Sequence, residues 1–237
     1  MGDLYDWINV QASQIKELKA LMSQPHAPHA TYKFMQLMSQ SLYLREKTEH
    51  LLKNNVATVE CYDWERVPKM WMSQTNGELF LRLLNSRVGY CYEFLGNGQV
   101  GFVLPETERV WVNLTQSLSN KDVVLLRGTH RVETIKELGF VVGQDVDHVH
   151  LSEEASYRHV EQFIAASNFT GNWLCLDLPH SPSVLSFLAH QLIQLRKTLT
   201  ETAFDKNKSA VLSNPNSAFF LLSHPSHSEY PTFNSLL

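Results

Sequence analysis

Apolar residues recur at helical spacing in the first part of the chain. The residues that carry this pattern lie in two stretches, one from Leu4 to Met22 and one from Phe34 to Leu52. The intervening segment Gln24–Ala30 reads QPHAPHA, and its two prolines interrupt a helix because proline lacks a backbone N–H and clashes with the preceding turn. The pattern predicts two helices, each with an apolar face packed in a core.

The pattern changes at about Val56. Residues 57–72 and 78–114 are rich in β-branched and aromatic residues, with turns at GNG and LPE, and this composition predicts short strands and loops. Strands and helices then alternate. The predicted strands are 122–126, 148–151, 173–177 and 218–223, and the predicted helices are 132–140, 154–167 and 182–200. Such alternation favours an α/β fold with a parallel sheet covered by helices on both faces.

Composition and charge exclude several classes of partner. The net charge is -4 over 237 residues and the basic residues are scattered, which argues against nucleic acid or an anionic membrane surface. Cys61, Cys91 and Cys175 lie far apart, so neither a disulfide framework nor a zinc site is expected, and a reducing compartment is. The first residues resemble no signal peptide, which predicts an intracellular protein.

The stretch VVLLRGTHRVETIKELG (Val123–Gly139) has the layout of a phosphate-binding loop, a strand followed by a short turn and a helix. A P-loop requires G-x-x-x-x-G-K-[ST], because the glycines admit the phosphates, the lysine neutralises them and the hydroxyl holds Mg²⁺. Here Leu125 and His130 occupy the glycine positions, Arg131 the lysine position and Val132 the hydroxyl position. On these residues alone, an ordinary strand-turn-helix without a ligand is the better interpretation.

A second candidate lies at the end of an apolar strand. NWLCLDLPHSP places Asp177 where an NTPase carries its Mg²⁺-associated acid. Asp177 is equally suited to cap a helix that begins near Pro182. Both interpretations stay open at this point.

Several segments together resemble the dynein heavy chain, at the end of its linker and in its first AAA+ module. YDWERVPKMWM (Tyr62–Met72) resembles the linker end, and GYCYEFLGNGQVGFVLPETERVW (Gly89–Trp111) is similar to the segment that lies against the adenine. RGTHRVETIKELG (Arg127–Gly139) aligns with the Walker A loop and helix, and WLCLDLP (Trp173–Pro179) with Walker B. AFFLLSHPSHSEYP (Ala218–Pro231) aligns with the sensor strand. The ordered series carries the resemblance, and no single motif does.

The resemblance implies an α/β, P-loop NTPase-like AAA+ core with a parallel sheet flanked by helices, preceded by an α-helical linker segment. It places the helical segment at residues 1–80 and a truncated, degenerate core at residues 81–237. It also implies vestigial nucleotide-binding positions. These are Val103, Leu104, Pro105, Gly128, Thr129, His130, Arg131, Val132 and Asp177.

By this resemblance the stretch is a phosphate loop that has lost its chemistry. In the family a glutamate follows the Walker B aspartate and activates the attacking water, whereas Leu178 cannot accept a proton. His224 stands where the family has asparagine. No catalytic residue and no required cofactor are expected, and ATP with Mg²⁺ is the ligand only if binding has survived.

Three functions stay open. The leading hypothesis is a non-catalytic dynein heavy chain-like fragment with a structural or assembly role in a microtubule-based system, such as the axoneme of a cilium or flagellum. Its partners would be other dynein or axonemal subunits, or the rest of a longer chain, and it carries no stalk for microtubules. The alternatives are a residual ATP-binding module and a truncated product without independent function. The expected location is the cytoplasm and its cytoskeleton.

Overall fold

The computed structural model describes residues 2–56, 58–96, 105–152, 154–178, 184, 186–194, 214 and 216–223. The chain divides into two compact units. The first contains Met1–Lys69 and Gln99–Arg109, and the second contains Met70–Gly98 and Val110–Leu237. The division that the sequence predicted between residues 80 and 81 stays a prediction.

The first unit is built on two long helices that pack against each other. Helix α1 spans Gly2–Met22 and helix α2 spans Pro28–Lys53, so the two predicted helices are present. The prediction that their apolar faces are packed in a core was wrong in part, because Leu21, Leu37 and Leu42 are 41%, 48% and 46% exposed. Pro28 is the first residue of α2, a position that tolerates proline because the N–H there has no helical partner. Gln11 of α1 and Leu51 of α2 are buried.

A buried carboxylate joins several elements of the first unit. Glu108 lies in the first turns of helix α4 (Pro105–Asn120), and its side chain is only 3% exposed. Its Oε1 lies 2.6 Å from Lys47 Nζ and accepts a hydrogen bond of 2.9 Å from the Tyr43 hydroxyl. Its Oε2 lies 3.5 Å from Arg66 Nη2, just after the short helix α3 (Tyr62–Glu65). Burying a carboxylate is costly unless it is paired and hydrogen-bonded, and Glu108 is both.

Tyr43→Phe tests this network through the pH dependence of stability. The substitution removes a hydrogen bond to a charged acceptor, so we expect the free energy of unfolding to fall by about 1–2 kcal/mol at neutral pH. Burial, and then the Glu108 carboxylate, raise the pKa of Tyr43 above its ordinary value of 10.0. The phenol is therefore neutral in the folded chain at pH values where it ionises in the unfolded chain, so its contribution to stability is complete below about pH 10 and declines above it.

Urea unfolding of the natural chain and of Tyr43→Phe at pH 7 and pH 11 measures both effects. The variant should lose less stability between the two pH values than the natural chain does. Tyr62→Phe is the matched control, because Tyr62 is 63% exposed. Equal alkaline losses in Tyr43→Phe and the natural chain would contradict the assignment.

The second unit contains a small sheet and the part of helix α4 from Val110 onward. The sheet has the order β1-β2-β3, with strands Lys69–Met72, Leu79–Leu83 and Ser86–Gly89. Strands β2 and β3 are antiparallel. These short strands agree with the sequence prediction for this region, although that prediction did not include the short helix α3.

The prediction of strands and loops was wrong for residues 105–114, which belong to helix α4. Val110, Trp111 and Val112 gave the segment a strand-like composition. The helical signal was in the spacing, because Trp111, Leu114 and Leu118 are all buried and lie three and four positions apart. Burial of one helix face outweighed the preference of β-branched residues for strands.

The larger sheet has four strands in the order β4-β7-β6-β5, and all neighbouring pairs are parallel. They span Val124–Arg127 (β4), Val146–His150 (β5), Trp173–Asp177 (β6) and Ala218–Ser223 (β7). All of β7 is buried, and so is β6 except for Asp177. Continuous burial means that both faces of the central strands are covered, as expected for a parallel sheet. The predicted α/β class is confirmed.

Helices cover the sheet. Helix α5 spans Arg131–Val142, helix α6 spans Tyr157–Thr170, and residues 186–194 are helical. Residues of α6 and of the 186–194 helix form one core cluster with Leu174, Leu176 and Leu221. The predicted helix at 182–200 falls partly outside the described residues. Helix α6 begins and ends three residues later than predicted, and β4 begins and β5 ends within two residues of their predicted limits.

Gly139 brings α5 close to the start of β5. A Cβ atom at this position would lie 2.5 Å from Val146 Cγ2 and 2.8 Å from the backbone oxygen of Gln144. The backbone oxygen cannot move away without distorting the turn that precedes β5. Gly139→Ala is therefore expected to destabilise the fold by about 1–3 kcal/mol, the usual cost of overpacking. Thermal or urea unfolding measures this, and Gly89→Ala is the matched control because a Cβ there meets no atom within 4 Å. Equal stability of the two variants would rule out the close approach.

Candidate functional site

The loop between β4 and α5 is short and has an unusual backbone. It contains Gly128, Thr129 and His130, and α5 begins at Arg131. Gly128 has φ +126°, a conformation that side chains with a Cβ rarely adopt. His130 has φ 54° and ψ 30° and is the N-cap residue of α5, with no side-chain capping bond. A left-handed conformation at a non-glycine residue is uncommon, and here it turns the chain directly into the helix.

The first turn of α5 is anchored on the His130 carbonyl. Its oxygen accepts hydrogen bonds from the Thr134 backbone N–H at 3.1 Å and from the Thr134 hydroxyl at 2.8 Å. The Thr134 carbonyl in turn accepts a 3.3 Å hydrogen bond from the indole N–H of Trp111 on α4. These contacts fix the angle at which α5 leaves the loop.

The side chains of the loop differ in exposure and in the groups that they present. Thr129 and His130 are exposed, whereas Arg131 and Val132 are half-buried. The Arg131 Nη1 atom is shielded from solvent and has no hydrogen-bond partner among the described residues. Val132 presents a methyl-bearing side chain where a hydroxyl would hold the metal. Leu125 lies within β4, opposite Leu221, and packs against the core cluster.

The second part of the site is the end of β6. Asp177 is opposite Leu222 on one side and opposite His150 on the other, and its side chain is 21% exposed. Its Oδ2 accepts a hydrogen bond of 3.0 Å from His148 Nε2 and one of 3.1 Å from His150 Nδ1. Leu178 donates its backbone N–H to the Leu222 carbonyl at 2.9 Å. Among the described residues, the Asp177 side chain therefore bonds to the neighbouring strand, and its predicted role as a helix cap falls on residues outside the described ones.

The buried cysteine of β6 lies next to these groups, but its thiol is expected to be unreactive. Cys175 is opposite His148 in the pairing of β5 with β6 and is 0% exposed. Burial raises the pKa of its thiol to about 12. A thiol that is protonated and buried does not act as a nucleophile near neutral pH.

The fold brings the two parts of the site to one edge of the sheet. The loop follows the carboxyl end of β4, and Asp177 ends β6, two strands away. With strands about 4.8 Å apart, β4 and β6 lie about 10 Å from each other. Ligands of parallel α/β sheets bind at this edge. Of the predicted adenine-side residues, Pro105 begins α4, and Val103 and Leu104 lie outside the described residues, as does His224.

Two residues of the site were not predicted from the sequence. His148 and His150 were not singled out from the sequence, yet both side chains contact Asp177. The signal was their spacing of two within a strand, which places both side chains on the same face of the sheet. Among the described residues, no group of three histidine, cysteine or acidic side chains is arranged to hold a metal ion. No described helix is long and apolar enough to cross a membrane.

The family model described as the hydrolytic ATP-binding site of the dynein motor region matches residues 90–231, more than half of the chain. The chain belongs to this dynein motor family. The match includes the β4–α5 loop and the end of β6, and the parallel sheet is that of an AAA+ domain. The dynein family and the AAA+ fold, both expected from the sequence, are confirmed.

Individual dynein heavy chains resemble the chain at low identity. Human dynein axonemal heavy chain 2 is 29% identical over 175 residues, which cover 70% of this chain and 4% of the relative. Pig dynein axonemal heavy chain 11 is 25% identical over 231 residues, covering 94% of this chain and 5% of the relative. Human dynein axonemal heavy chain 10 is 24% identical over 222 residues. The chain spans about one-twentieth of the length of these relatives, and the similarity extends into the helices before residue 90.

Proposed function

We propose that this dynein-related AAA+ chain is non-catalytic and has a structural or assembly role in a microtubule-based, axonemal system. The observation that carries the proposal is the side-chain set around its phosphate loop. His130, Arg131 and Val132 stand where an active loop has glycine, lysine and a hydroxyl residue. Because the chain belongs to the dynein motor family, we interpret these three residues as replacements of nucleotide-binding residues.

Each loop substitution removes a separate interaction with a nucleotide. His130 adds a side chain at the left-handed position where the backbone turns toward the helix N-terminus. Arg131 keeps a positive charge, but its planar guanidinium is larger than an ammonium and does not replace it in a narrow loop. Val132 has no oxygen for a metal ion.

The strand end lacks the group that activates water. Leu178 follows Asp177, and its side chain cannot take a proton from an attacking water. Loss of a positioned general base usually lowers a rate by a factor of about 10²–10⁴. Together with the altered loop, this argues that the chain does not turn over ATP.

A structural role needs a surface for partners, and the first unit offers one. Several large apolar side chains of α1 and α2 are exposed, and exposed apolar patches often mark sites of partner binding. They are Tyr5, Trp7, Val10, Leu21, Tyr32, Met35, Leu37, Leu42 and Leu44. Because the named relatives are axonemal heavy chains, we propose other dynein or axonemal subunits, or further parts of a longer chain, as the partners. The proposed location is the cytoskeleton of a cilium or flagellum.

Cosedimentation with axonemes tests the proposal. Labelled chain is added to axonemes stripped of dynein by high salt, with and without ATP, and phosphate release is followed in the same samples. We expect saturable binding that ATP does not reverse, and phosphate release at background. Purified microtubules are the control and should not bind the chain. Release of the chain by ATP, or steady turnover, would contradict a non-catalytic role.

A residual nucleotide-binding role is the second candidate, and one observation favours it. The Arg131 Nη1 atom has no described hydrogen-bond partner, and it lies beside the N-terminus of α5, where anions are attracted. Calorimetric titration of the natural chain with ATP, with and without Mg²⁺, distinguishes the two candidates. Heat of binding that Arg131→Leu abolishes would favour the residual binder.

A further inference from the structure

Two histidines hold the carboxylate that the dynein family uses for magnesium. Asp177 Oδ2 accepts hydrogen bonds from His148 Nε2 at 3.0 Å and from His150 Nδ1 at 3.1 Å. Both bonds go to the same oxygen atom. We refer to His148, His150 and Asp177 as the carboxylate clasp.

Strand geometry builds the clasp. His148 and His150 are two positions apart on β5, so their side chains project from the same face of the sheet. His150 is directly opposite Asp177 in the parallel pairing, and His148 is one pleat earlier. Strand β5 is at the edge of the described sheet, which leaves room for both imidazoles beside the Asp177 side chain.

The contacts fix which ring nitrogens carry protons. A carboxylate only accepts hydrogen bonds, so the ring nitrogen that contacts Asp177 must be the protonated one. His148 is therefore protonated at Nε2 and His150 at Nδ1. Each N–H directs the positive end of its dipole toward Oδ2, which opposes the binding of a cation to that oxygen.

Magnesium fits this arrangement poorly. Mg²⁺ requires near-octahedral oxygen ligands at about 2.0–2.1 Å and gives up its water reluctantly. To reach Oδ2 it would have to displace two N–H donors, and Val132 offers no second oxygen ligand across the loop. The residues present do not match the metal that the family uses at this edge.

We infer that His148 and His150 are specificity-determining residues that exclude a hard divalent cation from the Asp177 carboxylate. The inference deepens the proposed non-catalytic function and rests on it. The histidines oppose cation binding at the end of β6 independently of the substitutions in the phosphate loop. Removing them opens the carboxylate without any change in the loop.

Manganese as a paramagnetic probe of Asp177 tests this. The readout is the Mn²⁺ concentration that halves the intensity of the Asp177 amide resonance in an NMR titration of the full chain. We expect the double variant His148→Ala/His150→Ala to need at least a tenfold lower concentration than the natural chain. Adding Asp177→Asn to the double variant should abolish the gain. His159→Ala, which removes an exposed histidine on α6, should leave the natural value unchanged.

Two results would contradict the inference that His148 and His150 exclude the cation. Equal concentrations in the natural chain and the double variant would show that the histidines do not exclude the cation. Broadening of the natural chain at the lower concentration would show that they are metal ligands. Neither result bears on ATP turnover, so the clasp and the proposed function can fail separately.

A second measurement needs no variant. Long-range ¹H–¹⁵N correlation of the imidazole rings at pH 8 should show the Nε2–H tautomer for His148 and the Nδ1–H tautomer for His150. The opposite tautomer at either residue would contradict the clasp, because that ring nitrogen could not donate to the carboxylate.

Discussion

The triple substitution His130→Gly, Arg131→Lys and Val132→Thr should give the chain an ATP affinity in the micromolar range. Glycine takes the left-handed conformation at residue 130 without a side chain in the way of phosphate. Lysine supplies a compact positive charge, and threonine supplies a hydroxyl for the metal. Two restored polar contacts of about 1.4 kcal/mol each correspond to about a hundredfold gain in affinity.

Equilibrium binding of a fluorescent ATP analogue, with and without Mg²⁺, measures the gain. Arg158→Lys is a matched control, since it makes the same change of cation at an exposed position near the start of α6 and should have no effect. The repaired chain should still not hydrolyse ATP, because Leu178 remains; Leu178→Glu is needed in addition. Equal, undetectable binding by the natural and repaired chains would show that the loop is not an altered nucleotide pocket. Micromolar binding by the natural chain would favour the residual binder.

The elements that could be predicted well from the sequence are those with an unambiguous apolar signal. Strands β6 and β7 begin and end where predicted, because WLCLD and AFFLLS are unbroken apolar runs next to polar residues. The limits of strands β4 and β5 differ from the predicted limits by one or two residues. Their burial is incomplete, so the apolar run does not mark a sharp limit. Residues 105–114 of helix α4 were predicted as strand and loop because their composition favoured a strand while their spacing favoured a helix.

One part of the candidate site depends on residues that are consecutive in sequence, and the other part depends on residues that are far apart. The loop from Gly128 to Val132 was predicted because a strand, a glycine and a helix are consecutive in sequence. The contacts of Asp177 with His148 and His150 could not be predicted, since they depend on the register of two strands separated by helix α6. A shift of that register by one residue would move both histidines to the other face of the sheet. Register is fixed by burial of neighbouring residues, which a local pattern does not contain.

Phe220→Ala should cause a larger loss of stability than Tyr43→Phe or Gly139→Ala. Phe220 is 0% exposed at the middle of β7, between β4 and β6, and its ring centroid lies 5.5 Å from that of Trp173. Truncating a buried phenylalanine removes its transfer energy and leaves a cavity, which together cost about 3–5 kcal/mol. Since whole domains are stable by only about 5–15 kcal/mol, the variant should lose a large share of the stability of the fold.

Urea unfolding at 25 °C measures the loss, and Phe169→Ala is the matched control. Phe169 lies near the end of α6 and is 67% exposed, so its truncation should cost well under about 1 kcal/mol. A difference of less than about 1 kcal/mol between the two variants would mean that β7 does not lie at the centre of the sheet. The outcome matters for the site as well, because β7 separates β4 from β6 and thereby sets the spacing between the phosphate loop and Asp177. If truncation of Phe220 loosens this strand, Leu222 no longer holds the backbone of Leu178, and the loop-repaired chain should lose its restored affinity for ATP together with its stability.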